Sequence, residues 1–168
     1  HATAGGLDLR VSQGTVVSAA HDSSRADPLD LCEFLRDVEM PVIVGGVASY
    51  PGALHLMRTG AVGVLVGVGP GAACTTREVL GVGVPQVSAT MDCAAARDDY
   101  LDETGRYVTL ITDGGLRTGG DICKSIASGA DGVMMGSPFA RTAEGPGRGC
   151  HWGMATPDMN LPRGTRIR

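Results

Sequence analysis

Cys74 lies in the run Gly67-Val68-Gly69-Pro70-Gly71-Ala72-Ala73-Cys74-Thr75-Thr76-Arg77, directly after the apolar stretch Val62–Val66. A strand-like segment thus hands a thiol to a glycine-rich loop, where backbone groups can turn toward a ligand or ion. A cysteine on such a loop is a candidate nucleophile, and the nearby Arg77 is a cation of the kind that favours thiolate over thiol. The plain alternative is an inert cysteine packed behind a tight turn. Asp113-Gly114-Gly115 follows a second apolar run, Tyr107–Thr112. An acid at a strand end can accept both hydroxyl protons of a ribose diol, and Gly115 leaves its N–H open to a phosphate. Gly136-Ser137 ends a third run; N–H groups and a hydroxyl at the start of a short helical segment suit a phosphate dianion. Together these turns describe a clamp for a nucleoside monophosphate, although each alone is also an ordinary capped turn.

Other residues are more open. Asp22-Ser23-Ser24 fits a binding turn or a simple N-cap equally well. His21 and His55 read as ordinary, partly exposed side chains. In His151-Trp152-Gly153-Met154 the single Trp and a Met flank a glycine, so a planar base could stack there, or the pair could anchor a loop. Cys32, Cys93 and Cys123 fall in predicted helices and are expected to pack; Cys150 falls in a loop.

Short β-branched runs predict strands at Thr15–Ala20, Val42–Val44, Val62–Val66, Gln86–Ala89, Tyr107–Thr112 and Gly132–Met135. Helices are predicted between them, at Leu29–Val38, Pro51–Thr59, Met91–Leu101 and Gly120–Ser128. This alternation calls for a parallel sheet with helical crossovers. A duplication is also visible: Gly46, Gly60 and Gly67 recur as Gly115, Gly129 and Gly136 at a constant offset of 69 residues. Each copy reads Gly-Gly turn, helix, Gly-Ala-x-Gly-Val strand, Gly loop, which is a repeated βα unit. Glycine loops after several strands, rather than at one switch point, favour a (β/α)8 TIM barrel over an open doubly wound sheet. About six strands are expected, making the barrel partial, with the others outside this sequence. The chain opens on His1 and closes on Pro162–Arg168 without an obvious terminal element, so both ends look cut from something longer.

Bulk properties narrow the function. With 168 residues and 43% hydrophobic content, the chain can bury one core. Aromatics at 4% and 26 glycines suit close packing of small residues. A net charge of −4 gives no reason to expect nucleic acid or a membrane as a partner. Five cysteines without a C-x-x-C pair suggest free thiols and a cytoplasmic location.

The run Val68-Gly69-Pro70-Gly71…Cys74-Thr75-Thr76-Arg77, with Gly81–Gln86, resembles the active-site loop of the IMP dehydrogenase / GMP reductase family. Asp113-Gly114-Gly115…Gly119-Gly120-Asp121-Ile122…Lys124, Gly129-Ala130-Asp131…Val133–Ser137 and Glu144-Gly145-Pro146-Gly147 extend the likeness. It is closest to the IMP dehydrogenase-related branch without CBS domains. The resemblance implies NAD-dependent oxidation of IMP to XMP through a covalent Cys74 adduct, with Thr76 near substrate and hydrolytic water. It implies Asp113 on the ribose, Gly115, Gly136 and Ser137 on the phosphate, and Gly153 and Met154 on the hypoxanthine. Asp22, Ser23, Gly67 and Gly69 would face NAD, while carbonyls of Gly69, Gly71 and Cys74 would hold potassium. A homotetramer is also implied, with residues 1–147 forming part of the catalytic barrel and 148–168 the start of a flap. There are departures: Ala72 stands where the family usually has Ser, Gly46 where it has Asn, and His151 where it has Tyr. The flap's Arg-Tyr pair is not found, leaving Arg163 or Arg166 as substitutes. GMP reductase, which uses NADPH to deaminate GMP, and a catalytically idle purine-nucleotide-binding paralogue are the alternatives.

Overall fold

In the computed structural model, the structure describes residues 10–13, 30–145, 148–152 and 166–167. Five parallel strands lie side by side in chain order: β1 (Arg10–Gln13), β2 (Val42–Val47), β3 (Gly63–Val66), β4 (Thr109–Asp113) and β5 (Gly132–Met134). Sequential parallel order is the mark of a barrel wall, because each crossover helix returns the chain to the next position along the same curved sheet. The architecture is therefore α/β, a partial (β/α)8 barrel.

Every residue of β2 and β3 is buried, as strands covered on both faces must be. In β4 the faces differ: Leu110 and Thr112 are buried, while Thr109, Ile111 and Asp113 are half-buried. The buried side meets helices α2 (Tyr50–Arg58) and α4 (Gln86–Thr104). Helix α2 starts after Ser49 with Pro51 in its first turn and buries Ala53, Leu56 and Met57, the spacing of one helical face. Helix α4 buries Ala89, Cys93, Ala96 and Tyr100 and ends at Gly105, whose φ of 71° supplies the left-handed cap. The small residues of α4 let the two helices approach closely. At their outer rim Arg58 pairs with Glu103, an exposed bridge worth little.

The structure departs from the sequence expectations in several places. Gln86–Ala89 is the first turn of α4, not a strand: Val87 and Ser88 are exposed while Ala89, Thr90 and Cys93 are buried, a helical period. Its alternating polarity was too short to separate the two periods, and Pro85 at the N-cap decides for helix. A further helix, α3 (Thr76–Leu80), occupies the loop after Cys74. Five parallel strands are found among the described residues, and the predicted strand at Thr15–Ala20 lies outside them. Near the C-terminus, β6 (His151–Trp152) pairs antiparallel with β7 (Arg166–Ile167), where no element was expected. Strand β1 was not expected; strands β2 to β5 and the helices α1 (Leu31–Asp37), α2 and α5 (Gly119–Ala127) fall within a few residues of expectation.

The duplication is present in the backbone. Gly60 and Gly129 share a φ of 102°, and each donates its N–H three residues back, to Met57 and Ile126. Cys32 and Cys123 are exposed, not packing residues, whereas Cys93 and Cys150 are buried; all are free thiols. Among the described residues, no helix is long and apolar enough to cross a membrane.

Candidate active site

The C-terminal ends of β3, β4 and β5 each open into a turn carrying one part of the site. After β3, the chain turns at Gly69, φ 67°, and a turn closed by Cys74 N–H donating to the Gly71 carbonyl at 3.0 Å presents the thiol. Cys74 is exposed, and its sulfur lies 3.2 Å from the Thr76 hydroxyl. The two residues singled out for chemistry are therefore in contact, with the sulfur open to solvent. The Arg77 guanidinium is engaged by backbone carbonyls of the loop. It donates Nε to the Val68 carbonyl at 3.1 Å and Nη2 to the Val84 carbonyl at 2.7 Å, closing the loop's two ends like a clasp.

After β4, Gly114 and Gly115 take φ values of 85° and 80°, a left-handed pair that side chains rarely adopt. This turn packs on the cysteine loop: a β-carbon at Gly115 would fall 2.9 Å from the Pro70 carbonyl oxygen, and one at Gly114 would fall 3.1 Å from Gly71 N. The acid-bearing turn and the thiol-bearing loop are thus one contiguous surface. The Gly114 N–H donates to the Met134 carbonyl at 3.1 Å, tying this turn to the end of β5.

After β5, Gly136 and Ser137 open the short helix α6 (Ser137–Ala140), as expected. The Ser137 hydroxyl lies 3.2 Å from His151 Nε2. His151 therefore sits at the Gly136–Ser137 turn, brought there by β6. Gly67 is buried, with the Gln86 amide and the Asp113 carbonyl filling the space a β-carbon would need, so it shapes the loop from beneath. Gly46 is equally constrained: a β-carbon there would lie 2.2 Å from the Gly67 carbonyl oxygen. The departure from Asn at this position belongs to a local backbone that excludes any side chain. Asp22, Ser23, Gly153 and Met154 lie outside the described residues.

Gln86 is the residue that sequence reasoning missed. Its Nε2 donates to the carbonyls of Val66 at 3.1 Å and Asp113 at 3.2 Å, the last residues of β3 and β4. The signal was its place directly after Val84-Pro85, where a helix first turn meets two strand ends.

Parallel strands in sequential order, with glycine turns converging at their C-terminal ends and an exposed cysteine among them, place the candidate site where barrel folds carry their functional loops. Residues 11–155 match the IMP dehydrogenase / GMP reductase domain. The chain belongs to that family. It is 50% identical over 167 residues to an uncharacterized oxidoreductase of Mycobacterium tuberculosis, covering 98% of this chain and 44% of that protein. It is 52% identical over 146 residues to the inosine-5'-monophosphate dehydrogenase of Haemophilus influenzae, covering 84% of this chain and 28% of that one. A crystal structure of an IMP dehydrogenase/GMP reductase-like protein from Corynebacterium glutamicum superposes with a TM-score of 0.76 at 49% identity, covering 88% of this chain and 38% of that chain. The chain thus spans less than half the length of these relatives.

Proposed function

We propose that this chain carries the nucleophile loop and the nucleotide-holding turns of an NAD-dependent IMP dehydrogenase. The observation that supports it best is the packing of the Gly69-Pro70-Gly71 segment, which bears Cys74, against the Asp113–Gly115 turn. A thiol and a diol-binding acid on one surface are what a purine ring and its ribose require.

In this reading the Cys74 sulfur bonds to C2 of the hypoxanthine of IMP, and C2 gives up hydride. Water then adds at C2 of the thioimidate, the C2–sulfur bond breaks, and the thiol is recovered. The net change is IMP, NAD+ and water to XMP, NADH and a proton. A soft sulfur suits a step in which the same atom must attach and later leave. Thr76, in contact with the sulfur, shares the pocket with the incoming water. Asp113 accepts from the ribose hydroxyls, while Gly115, Gly136 and Ser137 anchor the phosphate, and that fixed handle aligns C2 with the thiol. His151, bonded to Ser137, joins the phosphate turn and compensates the hydroxyl lost at Ala72.

NAD supplies a hydride acceptor when bound; Asp22, Ser23, Gly67 and Gly69 are its proposed contacts, of which the buried Gly67 acts through loop shape. The carbonyls of Gly69, Gly71 and Cys74 are neutral oxygen donors, which suit a monovalent cation such as potassium. The Gly71 carbonyl already accepts one N–H and retains a second lone pair for that role. Assembly as a homotetramer and a cytoplasmic location complete the proposal.

The test is absorbance at the NADH band with the intact protein. Turnover is expected with IMP plus NAD and is lost in Cys74→Ala. Turnover of GMP plus NADPH instead would select the reductase, and nucleotide binding without either reaction would select an idle paralogue. Full IMP oxidation by Cys74→Ala would refute the covalent step.

A further inference from the structure

We infer that Gln86 is a positioning residue for the nucleotide site, setting the Asp113 turn against the Cys74 loop through its side-chain amide. Neighbouring parallel strands end in carbonyls that diverge, and nothing in a β-ladder continues past the last pair. Here a single NH2 group bridges the terminal carbonyls of β3 and β4, Val66 at 3.1 Å and Asp113 at 3.2 Å. Both acceptors are carbonyls, so the amide's orientation is fixed: only the nitrogen end can serve them. The chain makes room for it. A β-carbon on Gly67, φ 134°, would fall 2.8 Å from Gln86 Nε2 and 2.8 Å from the Asp113 carbonyl oxygen.

The other end of the amide is what points beyond stability. Gln86 Oε1 is buried with no hydrogen-bond partner among the described residues. A buried acceptor left unmade is unfavourable and calls for an explanation. An apolar side chain of the same length would fill the space without that penalty. The residue is therefore best explained by what its donor end does, which is to hold the Asp113 backbone at a set distance from the segment that starts the nucleophile loop. The backbone of Gln86 is itself fixed: its carbonyl accepts from Thr90 Oγ1 at 2.7 Å, in the first turn of a 19-residue helix. The cysteine loop has its own clasp in Arg77, so loss of the Gln86 bridge should displace the acid turn rather than the sulfur.

This inference rests on the nucleotide-site reading above, and the experiment separates the two. Intact protein is treated with iodoacetamide, with modification of Cys74 followed by peptide mass, alone and with graded IMP, GMP or inosine. Wild-type Cys74 is expected to be protected by a nucleotide. Absence of protection by either nucleotide refutes the site reading itself. Given wild-type protection, Gln86→Met, apolar and of similar length, is expected to raise the half-protecting nucleotide concentration about tenfold, the loss of roughly one hydrogen bond. Its alkylation rate without nucleotide is expected to stay at the wild-type value. Gln86→Asn, which keeps a donor on a shorter stem, is expected to fall between the two. Protection equal to wild type in a folded Gln86→Met overturns the inference. So does a changed bare alkylation rate with unchanged protection, and so does failure of both variants to fold, which would make Gln86 a structural strut only.

Discussion

Thr90 and Thr112 bury two hydroxyls in the packed face between α4 and β4, and their bonds predict an asymmetric response to the same substitution. Both side chains are fully buried, and the two oxygens lie 3.0 Å apart. A hydroxyl has one proton. Thr90 gives its proton to the Gln86 carbonyl at 2.7 Å, so Thr112 must be the donor to Thr90. Thr112→Val then removes one hydrogen bond and leaves Thr90 still donating, for a cost of about 1 kcal/mol. Thr90→Val removes the acceptor of Thr112 and the donor to Gln86 together. It strands a buried proton, for a cost of about 2–3 kcal/mol. In the double variant nothing remains to be stranded, so its cost falls below the sum of the singles by about 1 kcal/mol. Urea unfolding of the four proteins, read as midpoint shifts at constant slope, measures each quantity. Equal costs for the singles, a larger cost for Thr112→Val, or strict additivity would refute the assigned direction of the donors.

Two further outcomes are expected. His151→Ala removes the partner of Ser137; in the proposed reaction it should raise the KM for the nucleotide about tenfold, leave kcat near wild type, and leave nucleoside binding unchanged, as steady-state assays would show. Cys93 is a thiol that burial, with a smaller contribution from Asp92, pushes up from 9.0 to about 12, so the folded state holds its proton more tightly than the unfolded chain. The stability this gives is complete below about pH 9 and is lost as pH rises toward the folded value. Near pH 10 Cys93→Ala should therefore be relatively less destabilising than at neutral pH, by about 1 kcal/mol in urea midpoints.

The strands and the turns that follow them were legible because barrel geometry writes itself into short-range pattern. Apolar β-branched runs ending in Gly-Gly or Gly-Ser mark where a covered strand meets a tight turn, and the 69-residue repeat states it twice. What escaped were features set by distant partners. Gln86–Ala89 looked extended because four residues cannot distinguish two periods; its helical burial depends on β3 and β4, which cover Ala89 and Thr90. The pairing of His151 with Ile167 joins segments whose intervening residues carry no strand pattern. The contact of His151 with Ser137 depends on that pairing, because 14 residues separate the two in the chain. In the sequence, Arg77 is a neighbour of the thiol, three residues away. Its actual partners are the carbonyls of Val68 and Val84, which only the folded loop brings within reach.

That guanidinium clasp also divides the segment after β3 into parts with different freedom to change. The stem from Val68 to Val84 is locked at its two ends, while α3 between them turns Val79 and Leu80 outward, 72% and 64% exposed. Descendant sequences can therefore drift along that outward rim, acquiring new surface chemistry, without dislodging the sulfur. Losing the arginine would remove both carbonyl ties of that stem at once, a larger change than any the outward rim can suffer.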